Sequence, residues 1–381
     1  MSHRLHIALL LAGLAIASST SAQSTDTSQL TLDRIFVDKE FQTERSPRLR
    51  WLDEGDRYTT LETSEAFPEH RDIVRHNAAD GGSRVLVAAN RLIPAGHSEP
   101  LAISDYHWSQ DGKRLLIFTN TRRVWRRNTR GDYWVLDVAS GLARPVSPRG
   151  QAAARPKWTP DGRIAYTILH GPRFEEIVVM EPVTGAQPEP LMPEADELGT
   201  QADPEFSPDG RFMLVAYNGF DGREPGIYLF EIGKPDSLRP FFASPKIEGF
   251  PAFSPDGRWV AYHTDGSGRF EVYLRPFNPQ RPESTPIHPV TTSGGSHPLW
   301  SRDGRTLYHL KSTRGDVLYA VTIETEPELK ISEPRVAVEG ISYAIDVLSG
   351  SERFVTIKQP RDTDERPELR IAVDWLADSQ Q

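Results

Sequence analysis

The sequence predicts an all-β fold, a β-propeller of seven four-stranded blades, and three observations lead there. A marker, an aromatic followed by Ser-Pro-Asp-Gly-Arg, recurs about every 48 residues. The marker carries the chemistry of a tight hairpin turn. A segment of strand length and largely apolar character follows each copy.

Five copies are clear: Trp108–Lys113, Trp158–Arg163, Phe206–Arg211, Phe253–Arg258 and Trp300–Arg305. Their aromatics are 50, 48, 47 and 47 residues apart. Two degenerate copies flank them, Trp51–Asp56 and Leu348–Arg353, which brings the count to seven. Within a copy, Pro presets φ for the turn, Asp can accept from its own backbone, and Gly takes the positive φ that closes the hairpin. The aromatic ends the preceding strand and suits packing between adjacent sheets.

Strands are expected at Arg114–Thr119, Ile164–Ile168, Phe212–Tyr217, Trp259–Thr264, Thr306–Leu310 and Phe354–Lys358. A second strand follows a short loop, at Tyr133–Val138, Glu176–Met180, Gly226–Glu231, Glu271–Arg275, Val317–Ile323 and Leu369–Trp375. A weaker strand punctuated by Pro then leads to the next copy. Four short antiparallel strands per repeat make a propeller blade, and such blades must pack side by side to bury both faces. After Leu348 only two further strands fit, so Leu32–Phe41 is expected to supply the missing outer strand and close the ring.

Residues 1–22 read as a signal peptide: Arg4, an apolar run from Leu5 to Ala17, and small residues Thr20-Ser21-Ala22 before Gln23. Residues 23–381 are then one propeller domain, periplasmic or secreted, with no membrane span once the signal is removed. The chain has no cysteine, so disulfides, a cysteine-linked lipid anchor and Cys/His zinc sites are excluded. Net charge is −9, and removing a signal that carries Arg4 alone leaves −9 − 1 = −10. That balance argues against nucleic acid and anionic lipid as partners. The local basic group Arg122, Arg123, Arg126, Arg127 and Arg130 reads as a solvated hairpin loop.

The stretch Ile103-Ser-Asp-Tyr-His-Trp108-Ser-Gln-Asp-Gly-Lys-Arg-Leu-Leu116, with Val124-Trp125-Arg126-Arg127 and Gly131-Asp132-Tyr133, resembles the N-terminal propeller of the dipeptidyl peptidase IV family. Leu32–Phe36 and Trp51-Leu52 are similar to the start of that propeller, so the resemblance covers about residues 30–166. From residue 200 to 376 the pattern x-Pro-x-aromatic-Ser-Pro-Asp-Gly resembles TolB-type propellers. Leu369–Trp375 is similar to the last strand of extracytoplasmic propellers attached to bacterial receptor kinases. Dipeptidyl peptidases carry a hydrolase domain with a Gly-x-Ser-x-Gly elbow, which this sequence lacks. Their acidic substrate-holding helix is not recognisable either, since Phe174-Glu175-Glu176 leads straight into a strand. The resemblance therefore implies a propeller without peptidase activity.

No catalytic set follows from spacing. His263, His288, His297 and His309 fall in two neighbouring repeats without a metal-binding pattern, and no metal or cofactor is expected. Asp265–Gly268 and Asp221–Arg223 read as hairpin turns rather than calcium loops. Gly81-Gly82 and Gly294-Gly295 read as turns as well. The residues ahead of each aromatic vary in chemistry on a common scaffold: Asp105, Tyr106, Arg155, Asp203, Phe250, His297 and Tyr343. They should ring one mouth of the central channel, opposite the Ser-Pro-Asp-Gly turns, as ligand-binding candidates. The leading expectation is an exported, non-catalytic binding propeller for a protein, peptide or glycan. The alternatives are a lyase or hydrolase with a His/carboxylate site at that funnel, or an accessory remnant of a dipeptidyl peptidase-like protein.

Overall fold

A computed structural model describes residues 49–52, 57–124, 127–146, 153–169, 175–183, 186–192, 204–217, 224–243, 246, 248–311, 317–339, 341–347, 354–358 and 369–372. Each repeat folds into its own antiparallel sheet. The first holds β1 (Arg50–Trp51), β2 (Arg57–Thr63), β3 (Arg71–Asn77) and β4 (Ser83–Val87). The second holds β5 (Ile103–Trp108), β6 (Arg114–Val124), β7 (Arg127–Asp137) and β8 (Ala143–Pro145). The third holds β9 (Ala153–Trp158), β10 (Ile164–Leu169), β11 (Glu175–Met180) and β12 (Glu189–Pro190). In the fourth are β13 (Glu205–Phe206), β14 (Phe212–Tyr217), β15 (Gly226–Glu231) and β16 (Arg239–Ala243). In the fifth are β17 (Glu248–Phe253), β18 (Trp259–Thr264), β19 (Glu271–Pro276) and β20 (His288–Pro289). The sixth comprises β21 (Ser296–Trp300), β22 (Thr306–Leu310), β23 (Val317–Glu324), β24 (Lys330–Ile331) and β25 (Arg335–Glu339), the last two both pairing with β23. The seventh comprises β26 (Ile341–Val347), β27 (Phe354–Lys358) and β28 (Leu369–Ala372).

The fold is an all-β propeller. Its core is not one mass but a series of layers, each between two successive sheets. Ile73 and Val87 meet Leu115 and Ile117 between the first and second sheets. Leu116 and Val135 meet Tyr166 and Val178 between the second and third. The series continues with Val179 on Met213, then Leu214 on Tyr262, then Leu274 on Leu307. Strand period explains the layering: alternate residues face opposite sides, so neighbouring Leu115 and Leu116 join different layers. β1 and β26 are also in contact, bringing the first and seventh sheets together. The expected closing strand at Leu32–Phe41 and the signal at residues 1–22 lie outside the described residues.

The turn between the two innermost strands is built as the sequence implies, with one addition. In each clear copy the Asp carboxylate accepts the backbone N–H two residues later, as Asp256 does from Arg258 at 3.0 Å. It also accepts the hydroxyl two residues earlier: Ser109 to Asp111 at 2.7 Å, Ser207 to Asp209 at 2.5 Å, Ser254 to Asp256 at 2.6 Å, Ser301 to Asp303 at 2.7 Å, and Thr159 to Asp161. In the Ser copies that hydroxyl in turn accepts the N–H that opens the next strand, as from Phe212 at 2.9 Å. The turns stack. A Cβ placed on Gly210, Gly257 or Gly304 would stand 3.4, 3.5 or 3.5 Å from Pro160, Pro208 or Pro255 of the preceding turn. The turns therefore share one face of the propeller.

One expectation needs correction. Four of the five arginines of the basic group, Arg122, Arg123, Arg127 and Arg130, lie on strands rather than in a loop, and Arg126 lies outside the described residues. β6 and β7 extend past the length of the other inner strands and pair as Arg122↔Arg130, Arg123↔Asn128 and Val124↔Arg127. The hairpin leaves from the ends of these strands remote from the Ser-Gln-Asp-Gly turn, so it rises on the opposite face.

Two outcomes follow from the turn. Replacing Asp209 by Ala removes two hydrogen bonds, and Asp256 by Ala three, on a partly exposed carboxylate; each should cost about 1 kcal/mol by urea denaturation. At Asp111 the Ser109 hydroxyl, then the Lys113 N–H, hold the carboxyl below its usual range. At Asp209 and Asp256 burial pushes the other way, but the Ser hydroxyl and Arg N–H bonds outweigh it. A folded pKa below the unfolded one gives stability that is present above about pH 4 and lost as pH falls through the folded value. Unfolding measured between pH 2 and 5 should show that loss, and Asp256→Asn should make it shallower.

Candidate functional site

The site begins with a proline. Arg155-Pro156, Asp203-Pro204, Phe250-Pro251 and His297-Pro298 occupy one repeat position, with the first residue of each pair three before the aromatic. Proline has no N–H to give the ladder, so the inner strand bulges there. The register shifts between Gly249 and Ala252 on β17 and between Ser296 and Leu299 on β21. β9 shifts likewise between Ala154 and Lys157. Phe250 and His297 take φ of +50° and +53°. With Asn120, at +50° on the base of the long hairpin, they are the non-glycine residues with positive φ among the described residues. All three lie on the loop face, opposite the turns. A left-handed non-glycine residue costs about 1–2 kcal/mol, and such strain gathers where geometry serves a function.

The two bulges bring their side chains together. The Phe250 and His297 ring centroids are 4.0 Å apart at 48°. His263, at the end of β18, lies 5.0 Å from Phe250 and 5.5 Å from His297. Phe270, just before β19, packs on His263 at 4.7 Å. The His297 backbone N–H donates to His263 Nδ1 at 3.3 Å, which puts the His263 proton on Nε2. Gly249 leaves room for that edge, since a Cβ there would sit 3.3 Å from Nε2. His263 is buried, Phe250 is 50% exposed, and His297 lies between.

A buried carboxylate seats the loop that delivers His297. Glu271 accepts the Thr291 hydroxyl at 2.5 Å, the Gly294 N–H at 3.0 Å and Arg269 Nε at 2.5 Å. Gly294, at φ +106°, passes so close to the sixth sheet that a Cβ would fall 2.9 Å from the Lys311 carbonyl. Gly295 then donates to the Phe270 carbonyl at 2.8 Å.

Charge follows from burial. Burial, with His297 adding to it, pushes His263 down to about 3. Burial also lowers His297 and, despite a raising bond to the Leu310 carbonyl, His309. At neutral pH the cluster is uncharged. It offers an exposed phenyl face backed by imidazoles, a surface suited to stacking.

The other predicted residues are placed differently. Tyr106 is a correction: it is fully buried and its hydroxyl donates to Thr59 Oγ1 at 2.9 Å, so it belongs to the core between the first two sheets. Asp105 is half-buried and accepts from Arg50 at 2.8 Å across the same boundary. Arg155 lies on β9 and Tyr343 on β26, while Asp203 lies outside the described residues. His288 packs near Trp259 and His309 stacks on Tyr319, so the four histidines do not converge. Among the described residues no group of three or more His, Asp or Glu could hold a metal ion. His263, Phe270 and Glu271 were not singled out as site residues. His263 carried a signal as a histidine one repeat before His297, but its contact needs the pairing of two sheets.

A pH dependence follows from His263. Its folded pKa lies below the unfolded value near 6.5, so the unfolded chain takes up a proton that the folded chain refuses. Stability should fall as pH drops from about 6.5 toward 3, with a slope of up to about 1.4 kcal/mol per pH unit from this group. His263→Asn keeps an acceptor at the Nδ1 position for the His297 N–H and cannot titrate. Urea unfolding between pH 4 and 7 should be flatter for that variant; an unchanged slope would rule out His263 as the source.

Comparison with known proteins agrees with this architecture. The pattern of the dipeptidyl peptidase IV (DPP IV) N-terminal region matches residues 109–169. A probable dipeptidyl-aminopeptidase B of Aspergillus clavatus is 32% identical over 121 residues, 30% of this chain and 11% of that protein. Among solved structures, Porphyromonas gingivalis dipeptidyl peptidase 4 is 14% identical over 89% of this chain and 55% of that chain, at TM-score 0.57. An oligogalacturonate lyase in complex with manganese is 12% identical over 86% of this chain and 88% of that one, at TM-score 0.59. TolB from Acinetobacter baumannii is 15% identical, covering 86% and 79%, at TM-score 0.46. The chain spans about half the length of the peptidase structure and a small fraction of the fungal protein. The chain is a β-propeller that resembles, around its second and third sheets, the N-terminal region of dipeptidyl peptidase IV.

Proposed function

We propose that the protein is an exported, non-catalytic propeller that binds a protein, peptide or glycan on its loop face. The observation that carries this reading is the pair of strained bulges. Two sheets each hold a ring at positive φ, in register, so that Phe250 and His297 pack against each other on the loop face. Packing alone gives no reason to keep half of Phe250 in water at that cost. A partner with a flat apolar or ring face would cover it. The low basicity of His263, whose Nδ1 lone pair already accepts the His297 N–H, supports binding over a general-base role at this spot. Export rests on the apolar run from Leu5 to Ala17, and the periplasm or exterior is the compartment it implies.

The test is a peptide and glycan array probed with the purified protein. Phe250→Ala and His297→Ala should each weaken a hit at least tenfold, the scale of a binding hot spot, while circular dichroism stays unchanged. Variants that fold and bind at full strength would move the site elsewhere. A fluorophosphonate probe of reactive serines should leave the protein unlabelled, and stoichiometric labelling of one serine would overturn the non-catalytic reading.

A further inference from the structure

The loop-face cluster is built around a bond that one proton would break. The His297 N–H donates to His263 Nδ1 at 3.3 Å, so that nitrogen must keep its lone pair. His263 Nε2 already carries the hydrogen of the neutral ring, and Nδ1 is therefore where an added proton goes. Once protonated, His263 meets the His297 N–H with an N–H of its own, and attraction becomes repulsion.

The neighbouring imidazoles lack this property. His309, on β22, has Nδ1 at 3.3 Å from the Leu310 carbonyl, where it can only donate. Its Nε2 is buried without a hydrogen-bond partner, so a proton there breaks nothing. His297 Nδ1 meets the Ser296 hydroxyl at 3.1 Å, which can accept as readily as donate. In the ladder of the fifth sheet His263 stands opposite Gly249 and Val272, with Glu248 and Glu271 opposite the next residue, Thr264. Glu271 is committed to Thr291, Gly294 and Arg269. The titratable or charged groups around His263 among the described residues are thus Glu248, Asp265, Arg269, Glu271, His297 and His309. Of these His263 is bonded to His297 alone.

The bulge is ready to move. His297 is held at φ +53°, a conformation costly to a non-glycine residue, and it is only partly buried. The chain is anchored on both sides of it. Before it, Gly294 is held by Glu271 and Gly295 by the Phe270 carbonyl. After it, Leu299 and Trp300 pair with Tyr308 and Leu307. What can leave is the short span His297–Pro298, not the sheet.

We infer that His263 is an acid-operated latch on the loop face: its lone pair holds the His297 bulge in place, and on taking up a proton it lets the bulge go while the sheets stay folded. The Phe250–His297 contact is then undone. As a control on binding, the latch rests on the function proposed for the loop face; as a movement of the backbone, it does not. With the latch closed, burial and then His297 push His263 down to about 3. Released, the ring returns toward its ordinary value near 6.5, so acid favours the open form across that window.

Hydrogen–deuterium exchange of the full chain tests the latch with no ligand present. It is read at the His297 amide, resolved by fragmentation in the mass spectrometer and corrected for the intrinsic rate at each pH. Protection should fall about tenfold for each pH unit below about 6. The amides of Leu214 and Val215, in the core of the fourth sheet, should not follow. His263→Asn should hold its protection constant, and His309→Gln should respond as the unaltered chain does. The latch is overturned by flat protection in the unaltered chain, by an equal fall in His263→Asn, by loss of the response in His309→Gln, or by a fall in step with Leu214 and Val215. Should His263→Asn not fold, the unaltered chain and His309→Gln still decide. A peptide and glycan array without a hit, beside an intact exchange response, would instead reject the loop face as the binding surface.

Discussion

Every sheet boundary from the first to the sixth is crossed by a hydrogen bond from a long side chain to the neighbouring sheet, and the rest of the molecule depends on that geometry. The repeat tryptophans supply three of these bonds: Trp108 to Thr59 at 3.0 Å, Trp158 to the His107 carbonyl at 3.3 Å, and Trp300 to the Ala252 carbonyl at 3.2 Å. Where the repeat aromatic is phenylalanine it cannot donate, and a cation takes over. Lys157 reaches the Pro204 carbonyl between the third and fourth sheets. Arg275, 1% exposed, donates to the Phe241 carbonyl at 3.1 Å between the fourth and fifth, and its guanidinium stands over the Phe241 and Phe242 rings. Apolar layers alone would tolerate sliding of one flat sheet on another. A directional bond does not, because a shift of an ångström or two breaks it.

That fixed register is why much of the fold was legible and much of the site was not. The Ser-Pro-Asp-Gly marker encodes a local turn, and local chemistry survives folding unchanged. Strands Phe212–Tyr217, Trp259–Thr264 and Thr306–Leu310 begin and end where the pattern puts them. The Ser hydroxyl's part in the turn was overlooked because Asp alone suffices for a turn signal, while the hydroxyl acts on the strand that follows. The arginine hairpin was misread for the opposite reason. A run of like charge hides the alternation that marks a strand, yet backbone pairing carried β6 and β7 through it.

The site depends on distance in sequence. Phe250 and His297 could be named from their place before the aromatic, but not their left-handed backbone, which comes from a proline forcing a bulge against a strand 10 or more residues away. His263 entered the cluster only because the fifth and sixth sheets meet in one register. Tyr106 failed as a site residue through burial: it and Asp105 both reach across to the first sheet, Tyr106 to Thr59 and Asp105 to Arg50.

The two mouths of the channel thus differ in kind. On the turn face the backbone is relaxed, the prolines and glycines of successive turns nest, and chemistry varies only through side chains such as Gln110 and Arg302. On the loop face the backbone itself is altered: bulges, positive φ at Asn120, Phe250 and His297, and a long hairpin. The cause lies in the turn. Because Ser, Asp and Gly close the inner hairpin tightly at one end, irregularity in an inner strand can accumulate only toward its other end. A propeller built on this marker keeps one face uniform and leaves the other free to diverge. The exceptions on the uniform face are Gln110 and Arg302, which replace the turn proline of the common pattern, and there the divergence is of side chain without a change of backbone.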